Sequence, residues 1–483
     1  MKYCVLNPHE YEKQYGQKLG EISPFDAGIP LLDVEDKIIE QVYYYRWNVF
    51  CKHIRKTPEG HVITEFYPSV PWAKKYNTIN CPAGHHLYEG RWLHNQEYIN
   101  DYATFWFEDP EAQPRQYSFW VADAIYNVCK VTDDFSIAEK LYEKLKENYA
   151  AWEKSHGMEN GLFYQIDDRD GMEYSAGGSG CRPTINSYMY ADALALSRMA
   201  QRMGKGEDAK AYAEKAADLK KKINSMLWND EAQFFETLAE EKNYQFSGVR
   251  EEVGFVPWYF NVPDSDKSVA WKFLMDDEYF WAPYGPTTTE QICPDFMKEF
   301  NHECLWNGPS WPFATSQTAT ALGNLLCNYK QTVMTNGDYY KLLHTYANSQ
   351  FDVKENGERV PYVDENLDPF TGEWIARAQL RKMEKPPGGA DRGEDYNHST
   401  FCDLVLNGLV GIRPREGEGV LINPLFDEDD LAYLCADGIL YHGKYICVLW
   451  DRTGKHYGKG HGLRIYCDGE EILWSSKLVE VEI

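Results

Sequence analysis

Basic residues are in short supply: 49 Lys and Arg stand against 75 Asp and Glu, a formal net charge of −26 over 483 residues. Binding nucleic-acid phosphates takes a clustered cationic surface, so this balance argues against DNA or RNA as partner. It argues equally against an anionic membrane surface. No stretch of about 20 apolar residues exists for a membrane span, and the opening MKYCVLNPHEYEKQYG has no apolar run of the kind a secretion signal needs. The twelve cysteines, at 4, 51, 81, 129, 181, 293, 304, 327, 402, 435, 447 and 467, include no CxxC pair, which argues against a thiolate zinc site. Scattered thiols without a leader predict free cysteines and a cytoplasmic protein. His85, His86 and Glu89 form HHxxE rather than the HExxH of a zinc hydrolase, so no metal or other cofactor is expected. Low-complexity tracts are absent.

Aromatics, by contrast, are plentiful: 15 Trp and 35 Tyr. Such rings bury the flat C–H faces of sugars while their polar tips make hydrogen bonds, although a large core uses them too. Helical periodicity predicts helices over 34–54 (capped by Asp33), 95–107, 115–130, 134–156, 185–204, 206–228, 311–330, 336–353 and 400–412. Residues 185–204 are apolar and small nearly all round, whereas 206–228 carry a Lys/Glu face. That contrast fits an inner and an outer helix of one hairpin, and 311–353 repeats it. About a dozen helices with long Gly/Pro/aromatic connections predict a mainly α fold, a ring of helix hairpins rather than a four-helix bundle. From about 413 the pattern alternates with Gly turns between, predicting a small β appendage. The expected organisation is a segment 1–34, a helical catalytic barrel 35–412 and a β-rich part 413–483.

Three polar loops carry chemistry. In 160–193, Asp167, Asp168, Asp170 and Glu173 crowd ahead of an inner helix, where like charges raise a carboxyl pKa. A solvated acidic loop, or calcium ligation by DDRDGME, is the competing reading. In VPYVDENLDPFTGEW (360–374), Glu365 sits among Asp364, Asp368 and Trp374; an ordinary turn on DPFTG explains it equally. In LWNGPSWPF (305–313), Trp306 and Trp311 flank a Gly-Pro loop at a helix start, a sugar platform or a packed Trp pair.

In this order the three passages resemble the clan of six-hairpin α-barrel glycoside hydrolases that includes trehalase, processing α-glucosidase I and mannosylglycerate hydrolase. The resemblance spans roughly residues 35–412 and is greatest to the mannosylglycerate hydrolase, trehalase-like group. It implies an (α/α)6 toroid. GMEYS (171–175) ahead of INSYMY (185–190) stands where the clan has Gly-Trp-Asp-x-Ser before LNAYLY, which puts the acid on Glu173 and leaves Asp170 as competitor. Glu365-Asn-Leu-Asp368 stands for the clan's Glu-Lys-Tyr-Asp, which puts the base on Glu365. The same resemblance makes Glu89, Arg91, Trp92, Asp170, Tyr284, Trp306, Asn307, Trp311, Tyr396 and His398 the expected substrate contacts. Asn307 replaces the clan's Arg, and Leu93-His94 its pocket Trp-Asp.

The resemblance further implies an inverting, exo-acting glycosidase whose two carboxyl groups stand about 6.5–9.5 Å apart to hold a water. Its partner is a small carbohydrate: an α-glucoside or α-mannoside, or, given the altered loops, an L-arabinofuranoside or L-rhamnoside. Two other functions share the helix pattern. An α-barrel sugar epimerase would use His85, His86 or His398 as acid and base, and a barrel that has lost a carboxylate would bind sugar without cleaving it.

Overall fold

The computed structural model describes residues 2–417 and 419–483. It is mainly helical, with a sheet at its C-terminal end. The Pro183–Arg202 helix is buried along almost its whole length, whereas its neighbour Gly206–Lys222 buries only Tyr212, Ala216 and Leu219. The sequence dictates this pairing. Ala191, Ala193, Ala195 and Ala200 let other helices approach closely, and the Lys/Glu face of 206–222 can only meet water. Pro183 and Pro312 each occupy the first turn of a long helix, where a missing N–H costs nothing.

Packing follows the chain. Ala83–Gly90 lies on Val121–Thr132, that helix on Pro183–Arg202, and that on the short Val256–Tyr259 helix. The last packs on Pro312–Asn328, which meets the Leu404–Leu409 turn. Hydrogen bonds from Phe401, Cys402 and Asp403 back to Glu89 then join the last of these elements to the first.

The structure moves several expected boundaries. The cap of the first long helix, Lys37–His53, is Asp36 rather than Asp33: the Asp36 carboxylate accepts the N–H groups of Ile38 (3.0 Å) and Ile39 (3.2 Å). Asp33 lies in strand Leu31–Val34, opposite Cys435, so its backbone is already paired. The helix expected from 115 begins at Val121, because the Asn80 side chain holds the backbone of Pro114 and Tyr117 in a loop. Asn336–Ser349 stops short of 353, where Phe351–Val353 turns into a strand paired with Arg359–Pro361.

In the C-terminal part, Tyr433–Tyr441, Lys444–Asp451, Gly462–Cys467 and Glu470–Ser475 form an antiparallel sheet. Its fifth strand is Leu31–Val34 from the other end of the chain. Asp437 reinforces this junction by accepting the N–H groups of Cys4 (2.9 Å), Val5 (2.7 Å) and Leu6 (2.8 Å).

Candidate active site

Residues just upstream of the Pro183–Arg202 and Pro312–Asn328 helices and of the Leu404–Leu409 turn line one cavity of about 490 Å³. Glu173, Glu365, Trp306, Trp311, Tyr396 and His398 are all in its wall. The volume suits a mono- or disaccharide-sized ligand.

Glu173 reaches the cavity through a tightly turned loop. Asp167–Asp170 make one 3-10 turn, ended by Gly171 at φ +73°, whose N–H returns to the carbonyls of Asp167 and Asp168. A Cβ at Gly171 would lie 2.5 Å from the Cys81 sulfur, so both backbone angle and space demand glycine there. Met172, fully buried, then anchors the loop, and the Glu173 carbonyl accepts the Trp306 N–H at 3.0 Å. With no ion pair to Glu173 among the described residues, burial pushes its carboxyl up to about 8, and the negative charges of Asp168, Glu365 and Glu65 add to the rise.

Glu365 is 1 % exposed and fully engaged. Arg392 Nε donates to Oε1 at 3.1 Å, and the Cys304 thiol donates to Oε2 at 2.7 Å. Burial leaves this carboxyl raised too; Arg392 and the thiol hydrogen bond offset part of the rise and Asp364 adds to it. Arg392 also bonds Glu303 (2.5 Å) and lies over the Trp72 ring. Burial would raise Glu303, but the guanidinium outweighs it and holds that carboxyl below its usual range.

Sequence reasoning missed Glu65, Cys304 and Arg392, all of which border the cavity. Glu65 is 6 % exposed and accepts a short hydrogen bond from the Tyr396 hydroxyl. Burial, with some help from Glu365, lifts it to about 8 even though the Tyr396 bond works the other way. Nothing in GHVITEFYP marks Glu65; it arrives by way of a β-hairpin, Ile54–Thr57 with Gly60–Ile63, whose second strand ends just before it.

Six of the expected contacts lie outside this wall. Asp170 is buried beneath the loop, where Arg182 Nε (2.7 Å), the Thr184 hydroxyl and the Ser118 hydroxyl take up both its oxygens. Each of the three aspartates in the loop has its own partner: Asp170 pairs with Arg182, Asp167 accepts from Ser179, and Asp168 pairs with Arg169. Glu89 caps the backbone at 401–403, with N–H groups at 2.8–3.1 Å. Arg91 and Trp92 both donate to Asp403 Oδ1, at 2.9 and 2.6 Å. Asn307 spends its amide on the carbonyls of Asp295 and Lys298, and Tyr284 packs with Val363, Leu367 and Trp374. For Asp170, Glu89, Arg91 and Trp92, burial and local hydrogen bonds account for the polar groups without a ligand.

Trp306 and Trp311 stack on each other in the wall, with centroids 4.5 Å apart. Of the three histidines, only His398 borders the cavity. Its ring lies 3.8 Å from Tyr396, and burial drives it well below its usual range. His86 is bonded to Tyr102 and the Asn397 carbonyl, and His85 is enclosed by Trp120 and Phe313. Two groups of potential metal ligands occur among the described residues, Cys4–Asp437–Cys447 and His61–Glu97–Asp101; neither borders the cavity. No helix is long and apolar enough to cross a membrane among the described residues.

Known proteins resemble this chain in sequence or fold. A solved structure described as a sialidase is 37 % identical over 100 % of this chain, with a TM-score of 0.88. This chain spans only 43 % of that protein's length. The GH63 mannosylglycerate hydrolase from Thermus thermophilus, solved with glucose, is 13 % identical (TM-score 0.52), covering 76 % of this chain and 98 % of its own. The GH78 family rhamnosidase of Bacillus sp. GL1 is also 13 % identical (TM-score 0.55), covering 88 % of this chain and 40 % of its own. At that identity the likeness is one of fold. Residues 75–399, more than half the chain, match the mannosylglycerate hydrolase MGH1-like glycoside hydrolase domain, and the chain belongs to that family.

Proposed function

We propose that the chain hydrolyses a glycosidic bond with inversion, Glu173 acting as general acid and Glu365 as general base. One observation carries this reading: two carboxyls share a cavity but have opposite partners. Glu173, with no cation beside it and a pKa near 8, holds a proton at neutral pH and can give it to a leaving oxygen. Glu365, braced by Arg392 and Cys304, is the one of the pair whose charge is supported, as a base for water requires. Glu65, protonated in the same range, is a donor for a sugar hydroxyl, and Trp306, Trp311, Tyr396 and His398 form the rest of the contact surface.

In the same reading the helices that follow one another around the cavity are the inner layer of an (α/α)6 toroid over 35–412. Residues 413–483 are its β-rich appendage and 1–34 its N-terminal segment. The substrate is a small carbohydrate attacked from its end, since the cavity is a pocket of limited volume. Twelve free thiols support a reducing, cytoplasmic setting.

A panel of aryl glycosides (α-mannoside, α-glucoside, α-L-rhamnoside, sialoside) tests the activity, and Glu365→Gln tests the base. The expected result is release from at least one member, reduced about 10²–10⁴-fold by the substitution. A variant keeping more than about a tenth of the rate removes Glu365 from its role. Proton NMR of the first-formed sugar should show inverted configuration; retention means a covalent route and overturns the base assignment.

A further inference from the structure

The inner helices have a second end. Beyond the catalytic cavity, and sharing no wall residue with it, a cavity of about 300 Å³ opens between Val121–Thr132, Pro183–Arg202 and Pro312–Asn328. In a chain of net charge −26 its walls are cationic: Arg91, Lys130, Arg198, Arg413 and Arg415 against the single carboxylate Asp123.

Basic groups at helix C-termini usually serve the exposed carbonyls there, and most of these have such work. Arg91 pairs with Asp403, Arg198 with Glu416 and Arg415 with Glu482. Arg413 binds Asn407 and the Gly323 carbonyl through its two terminal nitrogens. Lys130 is different. Its ammonium has no hydrogen-bond or ion-pair partner among the described residues, although the chain is rich enough in acid to supply one. The neighbouring acid, Asp123, is already bonded by the Tyr88 hydroxyl at 2.7 Å. Burial, with Arg91 close by, lowers the Lys130 ammonium to about 8. Arg413 Nε is buried without a partner. A half-buried cation left without a counter-charge in a cavity wall is open to an entering anion, whose charge would offset its partial desolvation. Beside these cations the wall carries Tyr190, Tyr259 and Phe260, rings against which a sugar face can lie.

We propose that this second cavity binds a monosaccharide-sized acid, its phosphate or carboxylate on Lys130 and its ring against the aromatic wall, at the end of the helices opposite the catalytic cavity. The site is independent of the hydrolytic reading.

Calorimetric titration of the whole protein with glucose 6-phosphate, glucuronate, inorganic phosphate and glucose tests it. One of the two sugar acids should bind saturably below about 10 mM, and Lys130→Met should weaken that binding at least about tenfold while Lys130→Arg keeps it. Glycoside hydrolysis by Lys130→Met should be unchanged, since Lys130 is absent from the catalytic wall. The phosphate arm and the uronate arm tell the two anion sources apart. Equal affinity of wild type and Lys130→Met overturns the proposal, as does inorganic phosphate binding as tightly as the sugar acids. Should Lys130→Met fail to fold, trinitrobenzenesulfonate labelling of the wild type gives the answer. Mass spectrometry should find Lys130 modified and the sugar acid protecting it; labelling unaffected by either acid also overturns the proposal.

Discussion

At the scale of single residues, the site is set by which carboxyls have company. Glu173 has none of opposite sign, so activity should fall as pH rises through about 8, where it loses the proton it must donate. Glu173→Gln should remove that basic limb and cost about 10²–10⁴-fold on a poor leaving group, but far less on an activated aryl glycoside that departs unaided. Asp170→Asn should behave otherwise. It strips the buried Arg182 of its ion-pair partner, so the expected effect is a loss of about 3–5 kcal/mol in stability, seen by denaturant melts, with no dependence on leaving group. A selective leaving-group effect in Asp170→Asn would transfer the acid to that residue. Glu65 gives a linked test of stability. Its folded pKa, about 8, lies above the ordinary carboxyl value, so the folded state holds the extra proton between the two. Stability must therefore fall as pH rises through that window, by up to about 1.4 kcal/mol per unit. Glu65→Gln, which cannot ionise, should gain on the wild type between about pH 5 and 8 in melts at each pH.

At the scale of elements, helix starts decide where side chains end up. The sequence marks Glu89 as an acid in a loop near the pocket. Three-dimensional packing adds that its carboxylate takes three N–H groups at 401–403, satisfying donors that a helix start leaves free. Glu89→Ala should therefore cost about 2–3 kcal/mol, measured by thermal or urea unfolding, and leave the leaving-group dependence of catalysis untouched. The inner–outer helix contrast, by comparison, can be read directly from 185–228, because a Lys/Glu face and an Ala-rich stretch have only one sensible pairing. The loops between are less legible. Asn80 holding 114–117 depends on partners more than 30 residues away, and the hairpin delivering Glu65 on strands too short to show periodicity.

At the scale of the molecule, the two ends of the chain are one structure. Leu31, Leu32 and Val34, all fully buried, form the edge strand on Tyr433–Tyr441, and Asp437 binds the backbone at 4–6. Unfolding of the described fold should accordingly appear as one cooperative calorimetric transition. A truncation after residue 412 should be insoluble or molten, because it exposes that apolar strand. Two well-separated transitions would show the β-rich part to be autonomous.

Composition and periodicity alone determined the mainly helical class, the β-rich C-terminal part and the loops that bear Glu173 and Glu365, since helix amphipathicity and turn chemistry are local properties written in adjacent residues. Only the tertiary structure decided which acids meet in the cavity. Asp170 and Glu173 belong to the same short loop, yet one is spent on Arg182 and the other is left without a cation. A carboxyl's pKa depends on neighbours as distant in sequence as Glu65 and Glu365 are from Glu173, and no local pattern records them.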